Sequence, residues 1–151
     1  MDKIKFEYQY ATFEQSAALQ QFKIPIAGYF KWIAYNEGKS ERKRLVNNET
    51  AHDTAWKLYQ TGRENVLRFC EAYSCAELEI FRNFIEKYTI ARALQHQYPE
   101  GDIFMLSCGG EEISLGTYSI VQGAHWRAQF VLECLKQKII QPEQFSNINQ
   151  L

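Results

Sequence analysis

RENVLRFCEAYSCAELEIFRNFIEKYTIARALQHQY, residues 63–98, is the stretch on which the fold reading turns. Val66, Phe69, Tyr73, Ile80, Phe84, Tyr88, Ala91 and Leu94 recur at steps of three and four, a spacing that stacks side chains on one face of a helix. Leu67, Cys70, Leu78, Phe81 and Ile85 widen that face until it covers much of the circumference. A helix apolar on so many sides is central, with neighbours packed around it. As one straight rod the stretch would span about 54 Å at 1.5 Å per residue. A compact domain of this length is roughly 40 Å across. Ser74-Cys75-Ala76-Glu77 has the Ser-x-x-Glu form of a capping box, in which the two side chains satisfy free amides at a helix start. Thr61-Gly62-Arg63-Glu64 repeats the form one helix earlier. The reading is two helices, about 62–73 and 75–97, bent near Tyr73; one continuous helix is the alternative, because Ser is tolerated mid-helix.

Upstream, Ile4, Phe6, Tyr8 and Tyr10 alternate with Lys3, Lys5, Glu7 and Gln9, the pattern of a half-buried strand. Thr12-Phe13-Glu14-Gln15 opens a helix to about Lys23, and Pro25 suits the first turn of another that ends near Asn36, with Gly38 as its stop. Lys39 to Asn48 is polar and reads as a loop, and a helix from about Ala51 to Gln60 follows. Downstream, Pro99-Glu100-Gly101-Asp102 is a turn. Ile103–Cys108, Gly109-Gly110 and Glu111–Leu115 form a hairpin, since paired glycines supply the positive φ a tight turn needs. Ser119 caps a last helix to about Ile140, and Pro142 stops it. The expected fold is therefore α+β and mostly α. It is a five-to-six-helix bundle with a small antiparallel sheet, made by the N-terminal strand and the hairpin of the C-terminal half. Residues 1–151 make a single domain with a tail frayed from about residue 141.

An apolar fraction of 46% and an aromatic fraction of 15% exclude a disordered chain. A net charge of −1 excludes a global field that would draw in nucleic acid or anionic membrane. The longest mostly apolar window, Ile24–Tyr35, is interrupted by Lys31 and too short to cross a bilayer, and MDKIKFEYQY lacks the apolar core of a signal peptide. Cys70, Cys75, Cys108 and Cys134 contain no Cys-x-x-Cys pair. Free thiols in a reducing cytoplasm, with no disulfide, metal or cofactor, are expected.

Four constellations could carry chemistry. Glu49-Thr50-Ala51-His52 is a single Glu-x-x-His at a helix start, whereas carboxylate dimetal bundles use two such motifs and two further glutamates. Arg92 and His96 stand four apart on the expected helix, where an Arg could hold phosphate and a His move protons; both residue types also favour a helix C-terminus. Cys108 and His125 would make a nucleophile and base if the fold brought them within hydrogen-bond reach, and a Cys beside a glycine turn explains the same letters. Gly109, Gly110 and Gly116 lack the Gly-Lys-Ser/Thr of a phosphate loop. The best localised charge signal is Lys39, Arg42, Lys43 and Arg44, with Trp32 and Tyr35 before them and Trp56 and Tyr59 after.

Cations beside aromatics bind phosphates and stack bases, but four charges are few for phosphate binding. Tyr and Trp are also the usual anchors of protein interfaces. The functional expectation is a small non-enzymatic protein-binding module: an adaptor, inhibitor, immunity protein or small subunit of a larger assembly. The alternative is a nucleic-acid-binding accessory protein using the basic stretch. A nuclease-like or cysteine-dependent enzyme follows behind.

Overall fold

A computed structural model describes residues 6–24, 30–37, 39–60 and 66–150. The deciding stretch is not two helices. It holds a strand, β3 (Val66–Glu71), a helix, α3 (Cys75–Tyr88), and a second strand, β4 (Arg92–His96). The capping box at Ser74 is real: the Glu77 amide donates to Ser74 Oγ at 3.1 Å, and the Ser74 amide donates to Glu77 Oε1 at 3.3 Å. What precedes it is extended chain. The helix also stops early. Thr89 is extended, with its hydroxyl donating to the Ile85 carbonyl at 2.7 Å, so the chain turns into β4 rather than continuing to residue 97. The Thr61–Glu64 capping form, Pro25 and Gly38 lie outside the described residues.

The remaining elements are α1 (Phe13–Gln21), β1 (Phe30–Glu37), β2 (Ser40–Asn47), α2 (Ala51–Gln60), β5 (Asp102–Cys108), β6 (Glu111–Tyr118) and α4 (Gly123–Lys136), with single-turn or short 3-10 segments at Phe6–Gln9, Ile120–Gln122 and Pro142–Gln150. The expected five-to-six-helix bundle with one small sheet is thus corrected. Among the described residues there are four α-helices and two three-stranded antiparallel sheets, ordered β2-β1-β3 and β4-β5-β6, in a mixed α+β fold. Of the segment expected as the N-terminal strand, the described residues form the 3-10 turn Phe6–Gln9, and Tyr10 makes an isolated bridge to Ser74; residues 3–5 lie outside the described residues. The hairpin takes β4 as its third strand instead. Its two-residue turn has φ +61° at Gly109 and +85° at Gly110, a conformation that strains any residue with a Cβ.

The first sheet is covered on both faces. Trp32, Ala34 and Cys70 pack with Phe13 of α1 on one side, while Ile33, Tyr35 and Val46 pack with Ala51 of α2 on the other. A doubly covered strand is apolar at consecutive positions. That is why β1 (FKWIAYNE) resembles a helical segment. The second sheet is covered on one face only. Phe104, Leu106 and Leu115 join the main core with Leu78, Phe81, Phe84 and Ile85 of α3 and Phe130, Val131 and Leu135 of α4. Trp126 of α4 stacks on Phe104, with ring centroids 4.5 Å apart and planes 13° from parallel. Between the sheets α1 packs against β3 and α4, which joins the layers. Tyr73, fully buried, ties the seam by donating its hydroxyl to the Ile24 carbonyl at 3.0 Å.

Pro142–Gln150 is a 3-10 segment in which Phe145 is buried against Phe81 and Phe84. Among the described residues no helix is long and apolar enough to cross a membrane.

Candidate functional site

The basic stretch is a strand, and its alternation separates its cations. In the β1–β2 register Lys43 lies beside Ala34, whereas Arg42 lies beside Tyr35 and Arg44 beside Ile33. Lys43 therefore shares the α1 side of the sheet, and Arg42 and Arg44 share the α2 side. Lys39 sits in the turn before β2. Lys43 pairs with the Glu14 carboxylate and stands 5.5 Å over the Phe13 ring. The hydrogen bond from Lys43, more than any other influence, holds the Glu14 carboxyl below the usual carboxylate range. On the same side Arg68 stands 4.7 Å from the Phe13 centroid and pairs with Glu41 at 3.6 Å.

The aromatics flanking the basic stretch are divided in the same way. Trp32 is buried, its indole N–H donating to the Ala11 carbonyl at 3.1 Å, and Tyr35 is buried beneath α2. Trp56 is 60% exposed on α2. The Tyr59 side chain lies outside the described residues. The sequence thus places Lys39, Arg42, Lys43, Arg44 and Trp56 at the surface, but on two sides of one sheet rather than in one patch.

The other constellations do not assemble. Arg92 and His96 stand at the two ends of β4, about 13 Å apart at 3.3 Å per residue. The Arg92 guanidinium turns back to the Thr89 and Ala91 carbonyls, at 3.0 and 2.7 Å. Cys108 lies near Cys134, whose thiol is pushed up to about 12, first by burial and then by the Cys108 and Glu133 charges. His125 and Cys134 are nine positions apart on α4, about 13.5 Å along the axis, so Cys108 and His125 are at opposite ends of α4. Glu49 and His52 are exposed at the start of α2, and no three His, Cys, Asp or Glu side chains among the described residues come together in a group that could hold a metal ion. The four thiols are free, and burial pushes that of Cys70 up to about 12 as well.

Two features stand out that the sequence reading did not include. The first is the uncovered face of β4-β5-β6. Strand pairing sets Arg92, Ser107 and Glu112 in one row, then Leu94, Met105 and Ser114, then His96, Ile103 and Thr117. These residues alternate with the core-facing Ala93, Phe104 and Leu106, so they occupy the far side, on which no helix packs among the described residues. Leu94, Ile103 and Met105 are partly exposed there, and Ile90 and Tyr98, 69% and 52% exposed, flank β4 in sequence.

The second feature is a cleft of about 350 Å³ beside the start of α1, lined by Glu7, Tyr8, Thr12, Phe13, Glu14, Trp32, Lys43 and His125. Its geometry follows from how α1 docks. Gln15 completes the Thr12 capping box and also donates through Nε2 to the His125 carbonyl at 2.9 Å, which clamps the start of α1 to the first turn of α4. The His125 and Tyr8 rings stand nearly perpendicular, with centroids 5.9 Å apart. Burial lowers the His125 pKa, against a hydrogen bond to the Tyr10 backbone that raises it. Burial thus favours the neutral ring, in which one nitrogen is an acceptor. A lone His among apolar letters gave no sign of this cleft; its partners come from residues 7 to 43.

No protein-family model matches the chain, and comparisons with curated proteins and with solved structures find no match either.

Proposed function

We propose that the protein is a small, non-enzymatic protein-binding module, an adaptor, inhibitor, immunity protein or small subunit, and that it binds through the open face of β4-β5-β6. The observation that supports this reading is the partly exposed Leu94, Met105 and Ile103, in two adjacent rows of a sheet face that no described helix covers. Apolar side chains in a contiguous patch mark a surface that a partner covers, with the charged residues at its margin setting orientation. Arg92 and Glu112 at opposite edges of one row, and His96 two rows away, supply such a margin. Ile90 and Tyr98, both exposed, flank β4 in sequence, and Tyr is a frequent interface anchor.

A second reading, nucleic-acid binding, draws on a separate observation. Arg42 and Arg44 share the side of the first sheet on which α2 lies, and Trp56 is exposed on that helix. Two cations and one aromatic offer few phosphate contacts, so this reading ranks second.

Three forms of the chain separate the readings: the parent, a face variant (Leu94→Glu with Met105→Glu) and a basic-strand variant (Lys39, Arg42, Lys43 and Arg44→Gln). A partner isolated with the parent from the source cell is purified and its affinity for each form measured. Loss of binding in the face variant, with binding retained by the basic-strand variant and only its on-rate slowed, is the expected outcome. Full-strength binding by the face variant would sink the reading. Labelled DNA and RNA titrated at two salt concentrations test the second reading, which requires binding that the basic-strand variant loses.

A further inference from the structure

We infer that the cleft between the 3-10 turn at Phe6–Gln9, the start of α1 and the first turn of α4 is a small-molecule site for a primary ammonium group carried on an aromatic or apolar body. The open sheet face plays no part in this, so the two proposals stand or fall separately.

The volume, about 350 Å³, is within the roughly 300–1,000 Å³ range of small-ligand sites. The chemistry of the lining narrows the ligand. Trp32 and Tyr8 present aromatic walls; the Trp32 indole N–H is already spent on the Ala11 carbonyl, while the Tyr8 hydroxyl can donate or accept. Among the acceptors of the lining, the Glu7 and Glu14 carboxylates are the charged ones, beside the Tyr8 and Thr12 hydroxyls and the His125 ring. Among the described residues the one cation of the lining, Lys43, is already paired with Glu14. Among those residues two carboxylates stand against one ammonium, an excess of negative charge, and Arg68, on the Phe13 ring nearby, is itself paired with Glu41. An anionic ligand would meet that excess. A neutral ligand would gain nothing from that charge. A compact ammonium brings three donors, and its charge is attracted both by carboxylates and by the faces of Trp and Tyr. An apolar body attached to it would cover the aromatic walls.

The ammonium could arrive on a free aromatic amine or on the lysine side chain of a peptide, and the two are told apart by the probes used. The full chain is titrated with phenethylamine, with 3-phenylpropanoate, which has a similar body and the opposite charge, and with N-acetyl-lysine amide. The His125 ring protons and the Trp32 indole proton are followed by NMR. Saturable shifts with phenethylamine and none with 3-phenylpropanoate are expected. The double variant Glu7→Gln, Glu14→Gln should bind the amine about tenfold more weakly, the loss of one charge-assisted contact. Both residues are exposed, so the variant keeps the parent's amide spectrum. Tighter binding of N-acetyl-lysine amide than of phenethylamine would support the ammonium site and name peptide lysine as its source. Equal shifts from both phenyl compounds, no shifts from any probe, or amine binding unchanged in the double variant would each overturn the proposal.

Discussion

The two sheets of this protein have the same size and the same antiparallel pairing, yet they solve the burial problem differently. In β2-β1-β3 the central strand sends Trp32 and Ala34 to α1 and Ile33 and Tyr35 to the α2 side, so all four consecutive residues are buried. In β4-β5-β6 the central strand alternates: Phe104 and Leu106 are buried, while Ile103, Met105 and Ser107 are partly exposed. A strand with both faces covered contributes twice the burial per residue and has no surface to offer. A strand with one open face keeps its apolar outer residues available to something else. The difference separates a sheet built for packing from a sheet that can also bind.

That contrast breaks first on β1, where the effects are largest. Trp32→Ala should cost about 3–5 kcal/mol and Ile33→Ala about 2–5 kcal/mol, because each removes a buried side chain from a different layer. Denaturant midpoints of both variants should fall well below the parent's. If one of the two neighbours proved nearly silent, the first sheet would have an open face too, and the comparison would fail.

On β5 the same experiment should give alternating results. Phe104→Ala, which also removes the stack on Trp126, should cost about 3–5 kcal/mol. Met105→Ala, next in sequence, should cost less than about 1 kcal/mol, since it lies on the uncovered face. A large loss at Met105 in the isolated chain would mean that residues outside those described cover this face, and the proposed binding surface would have to move.

The same contrast explains what could be read from the letters. The hairpin was legible because Gly109-Gly110 marks a turn and its strands run between clear punctuation. The starts of α1 and α3 were legible because Thr12 and Ser74 cap them by side-chain chemistry local to four residues. The first sheet was not. With both faces covered, β1 shows no period of two, and WIAY fits a helix as readily as a strand. β2, the edge strand, is so charged that it reads as loop. β3 and β4 flank a true helix and contribute apolar residues that happen to continue its spacing across Ser74 and Thr89. Of the candidate site, the exposure of Lys39, Arg42, Lys43 and Arg44 was visible, but their division between two sides depends on strand alternation. The cleft around His125 was invisible, because Gln15 and His125 meet only across 110 residues of chain.

Acid should separate the two halves with a smaller effect. Beneath the second sheet, Glu79 of α3 is held by Arg82, whose Nε donates to it at 2.9 Å, and by Arg127 of α4. Glu86 pairs with Arg82 and also accepts the Ala93 amide of β4 at 2.9 Å. The Arg82 hydrogen bond first, and Arg127 after it, lower the Glu79 carboxyl to about 2 against the opposing effect of burial. A carboxyl held lower in the folded chain than its ordinary 4.5 adds stability that is complete above about 4.5 and is lost as pH falls toward about 2. The side chain is about a third exposed, so a loss on the order of 1 kcal/mol is expected after screening. Glu79→Gln should remove this part of the acid slope. Hydrogen exchange at pH 3 should rise in β4–β6 and α3 before it rises in β1–β3. Equal acceleration in both sheets would show that the network does not belong to one half.

The smallest effect on stability, and the sharpest use of the comparison, concerns the edge of the first sheet. β2 pairs with β1 on one side only, and its other side offers backbone groups to any extended chain. An edge strand is kept from pairing with a second copy by charge, since joining two strands brings like charges together. SERKRLVN carries its cations where that matters, on the stretch Ser40–Arg44 that is exposed on the sheet. The second sheet needs less of this protection: β4 is only five residues long and ends in polar Gln95 and His96. If edge protection is what Arg42 and Arg44 do, Arg42→Thr with Arg44→Thr should leave stability within about 0.5 kcal/mol, because Thr suits a strand and both positions are exposed. Sedimentation should nevertheless show concentration-dependent self-association that the parent lacks at equal salt. Raising salt should bring the parent toward the variant, because screening weakens the repulsion that keeps two edges apart. A variant that sediments like the parent at every concentration would remove edge protection as the reason for these cations. It would leave their charge to be explained by a ligand, and the DNA and RNA titrations of the basic-strand variant would then become the deciding measurement.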